Sequence, residues 1–383
     1  MVDGALLEDL TALRRTLHRH PEVSGDEAWT AARIADELAH CHPDHLITGI
    51  GGHGVVAVWE SGNSGPSVLI RSELDGLPII DKAPVEWRSA IEGRGHLCGH
   101  DGHMAILAGL ARHLHERPVG KGRAILLFQP AEENGAGAAA MLADPRFAEI
   151  RPDMAFALHN LPGMAKGTVA IRPGPMCYAS EGLSIRLTGR TSHASQPEAG
   201  LSPAAAMCEL VEALPRLPAT LGHPEGHSVV TLVHARLGEE AFGIAPGEAH
   251  VMATLRAIDD VRQDALMRTA RDLARAAAAR HGLEIAMETA DGFAANVNDA
   301  AAVARVESAF ASLGLTVMPL EGPFRWSEDF GRFGQACPTA MFVLGAGEAH
   351  PPLHAPDYDF PDDIIETGMS VFERVIRDLC GAA

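Results

Sequence analysis

Apolar residues recur at helical spacing near the start of the chain. Leu7, Leu10, Leu13 and Leu17 fall on one face and predict an amphipathic helix over residues 6–20. A second helix is expected over 26–39. The pattern then shifts to short apolar runs. Residues 54–60 and 67–73 read as strands, 103–115 as a helix, and 124–128 and 154–158 as buried strands. Strands alternating with helices predict an α/β layer built on a mainly parallel sheet.

Beyond residue 180 the pattern changes. Leu183-Ser184-Ile185-Arg186-Leu187-Thr188 alternates strictly, as a half-exposed strand does. A helix is expected over 203–214, strands over 228–237 and 249–258, a long Ala-rich helix over 261–281, and a last strand over 283–289. The order β-α-β-β-α-β is that of a ferredoxin-like domain, and the alternation fits a sheet with one open face. Residues 180–290 are therefore expected to form a second domain, inserted into a first made of 1–179 and 291–383. The first domain resumes with a helix near 299–313, a strand near 338–344 and a terminal helix over 362–379.

Composition narrows the function. A chain of 383 residues with 46% apolar content supports two domains with real cores. The formal charge of −19 disfavours nucleic acid and anionic membranes as partners. No apolar run reaches bilayer length, and Met1-Val2-Asp3-Gly4 opens no signal peptide. The six cysteines are scattered, as in a reduced chain. These features predict a cytoplasmic protein, and twenty histidines raise the weight of metal chemistry.

One stretch concentrates that chemistry. Cys98-Gly99-His100-Asp101-Gly102-His103 packs a thiol, two imidazoles and a carboxylate into six residues. A transition metal favours this mixture, but the spacing does not complete a zinc finger, so further ligands must come from elsewhere. Four segments carry suitable groups. Glu132-Glu133 and His159-Asn160 each follow a predicted strand, where open α/β sheets place their sites. The others are Glu73-Leu74-Asp75, again after a strand, and His354 in a proline-stiffened loop. Paired carboxylates allow one to bind metal while its neighbour moves protons. Taken singly, each group also has an ordinary reading: Cys98 as an inert buried thiol, His159 as a hydrogen-bonded structural histidine, His354 as a surface residue, Asp75 as a turn cap.

Together these residues resemble the M20 metallopeptidase family, in the amidohydrolase branch that includes hippurate hydrolases, auxin-conjugate hydrolases and N-acetyl-diaminopimelate deacetylases. The resemblance runs through Leu17-His18-Arg19-His20-Pro21-Glu22, Arg71-Ser72-Glu73-Leu74-Asp75-Gly76-Leu77-Pro78, Cys98 to His103, Gln129-Pro130-Ala131-Glu132-Glu133, Ala157-Leu158-His159-Asn160, Ser327-Glu328-Asp329-Phe330 and Leu353-His354. It implies a zinc-peptidase-like catalytic domain with an inserted ferredoxin-like lid, which in the family also mediates dimerisation. It implies two divalent ions (zinc, manganese, nickel or cobalt) held by Cys98, His100, Glu133, His159 and His354, with the Cys98 thiolate bridging. Glu132 would be the general base and then acid, and Asp75 would orient a ligand. His193, in Thr191-Ser192-His193-Ala194-Ser195-Gln196-Pro197, would stabilise the oxyanion.

Two positions depart from the family pattern. Glu73 stands where Asp is usual, and Gly243 replaces the Asn of a lid motif, which puts the usual grip on the substrate carboxylate in doubt. Arg256 is the other candidate for that grip, against a plain surface ion pair. The function implied is deacylation of N-acyl amino acids by a homodimer or higher oligomer. The alternatives are a dipeptidase or carboxypeptidase using the same metals, and a non-catalytic metal or redox sensor centred on Cys98.

Overall fold

A computed structural model describes residues 4–383. The chain divides into two compact units. One contains the residues up to Met176, Asn296–Gly322 and Asp329–Ala383; the other contains Cys177–Ala295 and Pro323–Glu328.

The first unit is built on a seven-stranded sheet, in the order His45–Ile50, Gly54–Glu60, Arg123–Gln129, Ser67–Glu73, Met154–Pro162, Thr339–Gly347 and Val169–Ala170. The four strands from Arg123–Gln129 to Thr339–Gly347 run parallel, and the pairings outside them are antiparallel. All seven residues of Ser67–Glu73 are buried, the continuous run expected of a parallel strand covered on both faces. The expected α/β architecture is thus present. The edge strand His45–Ile50 escaped prediction because its residues are mostly exposed and show no apolar face.

Three helices pack together on this sheet: Gly4–Arg19, His100–Glu116 and Ile365–Cys380. Leu10, Leu13 and Leu17 turn inward as their spacing requires. A Cβ on Gly109 would lie 2.5 Å from the Met369 sulfur and 2.6 Å from Leu10 Cδ1, so glycine sets this helix spacing.

The first helix also buries two polar residues, Arg14 and His18. Arg14 reaches Asp101 at 3.4 Å, Asp359 at 2.5 Å and Asp362 at 2.7 Å. His18 Nδ1 lies 2.8 Å from Asp101 Oδ2, and its Nε2 lies 3.3 Å from Asp81. Burial alone would depress the His18 imidazole, but the Asp101 carboxylate outweighs it and raises the pKa from 6.5 to about 9. A raised histidine pKa stabilises the folded chain fully below pH 6.5, and that stability is lost as pH rises through about 9. Urea unfolding at pH 6.5 and pH 9 should therefore show a loss on the order of 1–3 kcal/mol that His18→Gln removes. An unchanged pH difference in the variant would refute the assignment.

The second unit carries a four-stranded antiparallel sheet, in the order Ser228–Leu237, Glu248–Ala257, Ala179–Thr188 and Glu284–Phe293. Helices Ala204–Ala213 and Asp260–Arg280 cover one face. The connectivity is the ferredoxin-like one. Glu248–Ala257 alternates between buried and accessible residues along its length, which leaves the other sheet face uncovered by this unit's helices. Periodicity did not predict that Pro323–Glu328 joins this unit. The cause is backbone pairing: Tyr178 N donates to Phe324 O and Trp326 O at 3.1 and 3.2 Å.

Candidate functional site

The metal-binding candidates of the first unit sit at or near the carboxyl ends of its parallel strands. Leu74 and Asp75 follow Ser67–Glu73, and Pro130 to Glu133 follow Arg123–Gln129. His159 and Asn160 lie inside a strand that runs on to Pro162, four residues beyond the predicted end. His100 opens the helix His100–Glu116, three residues before the predicted start at 103. The preceding Gly99 makes this possible. Its φ is 93°, and a Cβ there would lie 2.3 Å from Asn160 Nδ2, so glycine is needed both for the left-handed turn and for the close approach.

These elements bring Cys98, His100, Glu132, Glu133, His159 and His354 together. Cys98 Sγ lies 3.5 Å from His159 Nε2. His100 Nε2 lies 3.9 Å from Glu133 and 4.0 Å from Glu132. His354 Nε2 lies 3.6 Å from Glu133. Two groups of potential metal donors share the Cys98 sulfur: Cys98 with His100 and His159, and Cys98 with Glu133 and His354. Within each group the donor atoms lie within 4.8 Å of one another. Further candidate groups join His100 to Glu132 and Glu133, and His100 to Glu73 and His103.

Hydrogen bonds at the far sides of the rings fix which nitrogens face this space. His100 Nδ1 donates to the Asp75 carbonyl at 2.8 Å, and His159 Nδ1 donates to the Asn160 carbonyl at 2.8 Å. Each pairing leaves Nε2 as the donor atom toward the cluster. His100 Nε2 is buried with no hydrogen-bond partner. A buried orphan nitrogen aimed at a thiol and carboxylates fits a divalent ion.

The electrostatics show how much charge is concentrated here. Burial opposes the imidazolium of His100, yet the Asp75 hydrogen bond and the Glu73, Glu133 and Asp75 charges raise its pKa to about 10. Burial and the neighbouring His103 depress His159 to about 3. Burial and then His100 lower His354. Asp75 is fully buried and accepts from Ser24 Oγ at 2.7 Å and from Glu133 N at 3.0 Å. Burial would raise it, but the His100 hydrogen bond and these donors hold its carboxyl below the ordinary range. Asp75 thus ties His100 and the Glu133 backbone to one anchor.

Asn160 and Tyr358, which had no role in the sequence, join Glu73 and His103 in completing the frame. Asn160 Nδ2 donates to the Cys98 carbonyl at 2.7 Å, and Asn160 N donates to His103 Nε2 at 3.2 Å. Tyr358 Oη donates to Asn160 Oδ1. His103 Nδ1 donates to Glu73 Oε2 at 2.7 Å, and Glu73 also pairs with Arg71. The unusual Glu73 therefore serves as a buried bridge between Arg71 and His103. Arg71 continues to Gln129 at 3.0 Å and Asp329 at 2.7 Å, and Asp329 N donates to Glu132 Oε1 at 3.4 Å.

His193 and Arg256 belong to the second unit. His193 lies in Ser192–His193, which pairs with Ile244–Ala245. Its Nδ1 accepts from Ser195 N at 3.1 Å and lies 2.7 Å from Ser195 Oγ, which leaves Nε2–H as an outward donor. Gly243 O accepts from Ala194 N at 3.0 Å. A Cβ at Gly243 would meet nothing within 4 Å, so no steric demand excludes the usual Asn. Arg256 Nη1 donates to Ser327 Oγ at 2.8 Å and to Arg325 O at 3.2 Å. Burial lowers its pKa, and no carboxylate within its unit compensates. Among the described residues the partners of Arg256 are thus a hydroxyl and a carbonyl.

Comparison with known proteins gives a consistent picture. Residues 69–378 match the sequence profile of Peptidase family M20/M25/M40. An N-acetyldiaminopimelate deacetylase of Exiguobacterium sibiricum is 29% identical over 97% of this chain and 100% of its own length. A hippurate hydrolase of Campylobacter jejuni is 30% identical over 95% of this chain and 94% of its own length. A Bacillus subtilis structure described as a dinuclear metal binding peptidase from the M20 family shares the fold at 24% identity, with a TM-score of 0.82 and full coverage of both chains.

Proposed function

Since the chain belongs to Peptidase family M20/M25/M40, we propose that it hydrolyses the amide bond of N-acyl amino acids, releasing the amino acid and a carboxylic acid. The observation that carries this reading is the adjacent pair Glu132 and Glu133, both within 4.0 Å of the orphan nitrogen of His100. A metal store or sensor has no use for a second carboxylate beside the ligand set. A hydrolase needs one as its base. The names of the relatives, deacetylases and a hippurate hydrolase, support the substrate class.

In this reading Cys98, His100, Glu133, His159 and His354 hold two divalent ions, which when bound supply a Lewis acid and ease the ionisation of water. Glu132 accepts the proton of the attacking water and returns it to the leaving nitrogen. Asp75 and Asn160 keep His100 and the Cys98 backbone in place. His193 donates Nε2–H to the developing oxyanion. The guanidinium of Arg256, lacking a carboxylate of its own, pairs with that of the substrate.

Arg256→Gln should therefore raise KM by roughly 10-fold or more with a smaller effect on kcat, the signature of lost ground-state binding. An unchanged KM would remove Arg256 from the site. The function itself is tested by loading the metal-stripped chain with zinc, manganese, nickel or cobalt and assaying N-acetyl amino acids, N-benzoyl amino acids and dipeptides side by side. Turnover of the acyl amino acids is expected to dominate. Dominant dipeptide cleavage would make the enzyme a dipeptidase, and no hydrolysis by any metal form would refute the proposal. A cytoplasmic homodimer joined through the second unit belongs to the same reading.

A further inference from the structure

The uncovered face of the second unit's sheet carries an unusual row of side chains. The strand registers pair Arg236 with His250 and His250 with Arg186. The three residues therefore stand side by side on adjacent strands and face the same way, with ~5 Å between neighbouring strands. The next row adds His234, whose ring lies 5.2 Å from that of His250. His250 stands between the two arginines, so their guanidinium groups spring from strands ~10 Å apart with a mainly uncharged imidazole between them.

Carboxylates border the row without closing on Arg186: Glu239 and Glu248 line the same cleft, and Glu284 and Glu288 flank the register partner of Arg186 on the next strand. Glu239 pairs with Arg236 at 3.2 Å, but both side chains are mostly exposed, so the pair is weak and easily exchanged. Glu288, on Glu284–Phe293 two strands away from His250, favours its charged form, and Glu248, two residues before His250 on the same strand, lines the cleft. Arg186 forms no ion pair among the described residues. His250 is held by Ser184, its Nε2 2.8 Å from Ser184 Oγ, and its pKa is lowered by burial and then by Arg186, His234 and Arg236. The same three residues of the row line a cleft of about 430 Å³, together with Thr188, Thr191 and Glu239. That volume is in the range of small-molecule sites, roughly 300–1,000 Å³.

We propose that the row Arg236–His250–Arg186 is a binding site for a small doubly charged oxyanion, distinct from the residues assigned to hydrolysis. Two guanidinium forks flank the central imidazole, and each matches the planar edge of a phosphate or carboxylate group. Thr188 and Thr191 bring hydroxyl groups to the cleft wall. The bound anion pairs with the two guanidinium groups and displaces the exposed Glu239 carboxylate from Arg236.

The test uses thermal melting of the metal-loaded full chain at constant ionic strength, exchanging chloride stepwise for inorganic phosphate in one series and succinate in another. A melting temperature that rises and saturates marks binding to the folded state, and the stronger series identifies phosphate or dicarboxylate as the ligand chemistry. The double variant Arg186→Gln/Arg236→Gln should lose half or more of that rise. Its melting temperature in chloride should stay close to that of the parent, because both arginine side chains are exposed. Each single variant, with one fork left, should lose a smaller part. An absence of any saturable rise in the parent, or a rise the double variant retains in full, would overturn the site.

Discussion

Exchange of Glu132 for Gln is expected to lower turnover by roughly 10²–10⁴-fold, the usual contribution of a general acid–base group, while leaving the metal content unchanged. Gln has nearly the shape of Glu and still accepts the hydrogen bond from Asp329 N, so the loop after Arg123–Gln129 keeps its course. The substitution removes only the capacity to take up a proton. The donor atoms of Cys98, His100, Glu133, His159 and His354 are untouched. Metal analysis and turnover measured on one preparation check this. Near-normal turnover would exclude Glu132 as the base. Loss of metal along with activity would place Glu132 among the ligands instead.

The second large effect is expected for Cys98→Ser. Cys98 Sγ belongs to both donor groups, so its loss weakens both ion positions at once. A serine hydroxyl is a harder and far less readily ionised ligand than a thiol. Losing a group that merely orients a ligand costs roughly 10–100-fold in metal affinity, and loss of a shared ligand should exceed that. The expected result is a chain that retains one ion or none after dialysis and turns over more than 100-fold more slowly, an estimate on that same scale. Retention of two ions with unchanged affinity would defeat the bridging role.

Much of this was legible in the sequence because its signals are local. Helical spacing of leucines placed Gly4–Arg19, strict alternation marked residues 183–188 of the strand Ala179–Thr188, and six residues around Gly99 advertised metal chemistry. The ligand candidates other than His354 stood out because each lies in or near a central strand or helix marked by an apolar run. What stayed hidden has no local pattern. Tyr358 braces Asn160 across 198 positions of sequence, and Arg71 meets Asp329 across 258. No periodicity connects such pairs, since they are chosen by the geometry of the folded sheet. The Arg14–His18–Asp101 cluster was invisible for the opposite reason. A charged residue on an amphipathic helix normally marks the solvent side, and here the loop bearing Asp359 and Asp362 covers it. The start of the helix His100–Glu116 was misplaced by three residues because Gly99 reads as a flexible spacer until the neighbouring Asn160 shows why nothing larger fits.

Cys98, His100, Glu133, His159 and His354 would hold two ions, and with Glu132 beside them those ions would supply the chemistry of an amidohydrolase. Stepwise addition of cobalt to the metal-stripped chain tests this assignment directly, with thiolate-to-cobalt absorption and hydrolysis of an N-acyl amino acid followed together. The expected result is a thiolate band that grows through two equivalents, with hydrolysis reaching its maximum only at the second. Full hydrolysis without cobalt, or cobalt binding that produces no thiolate band, would contradict the account.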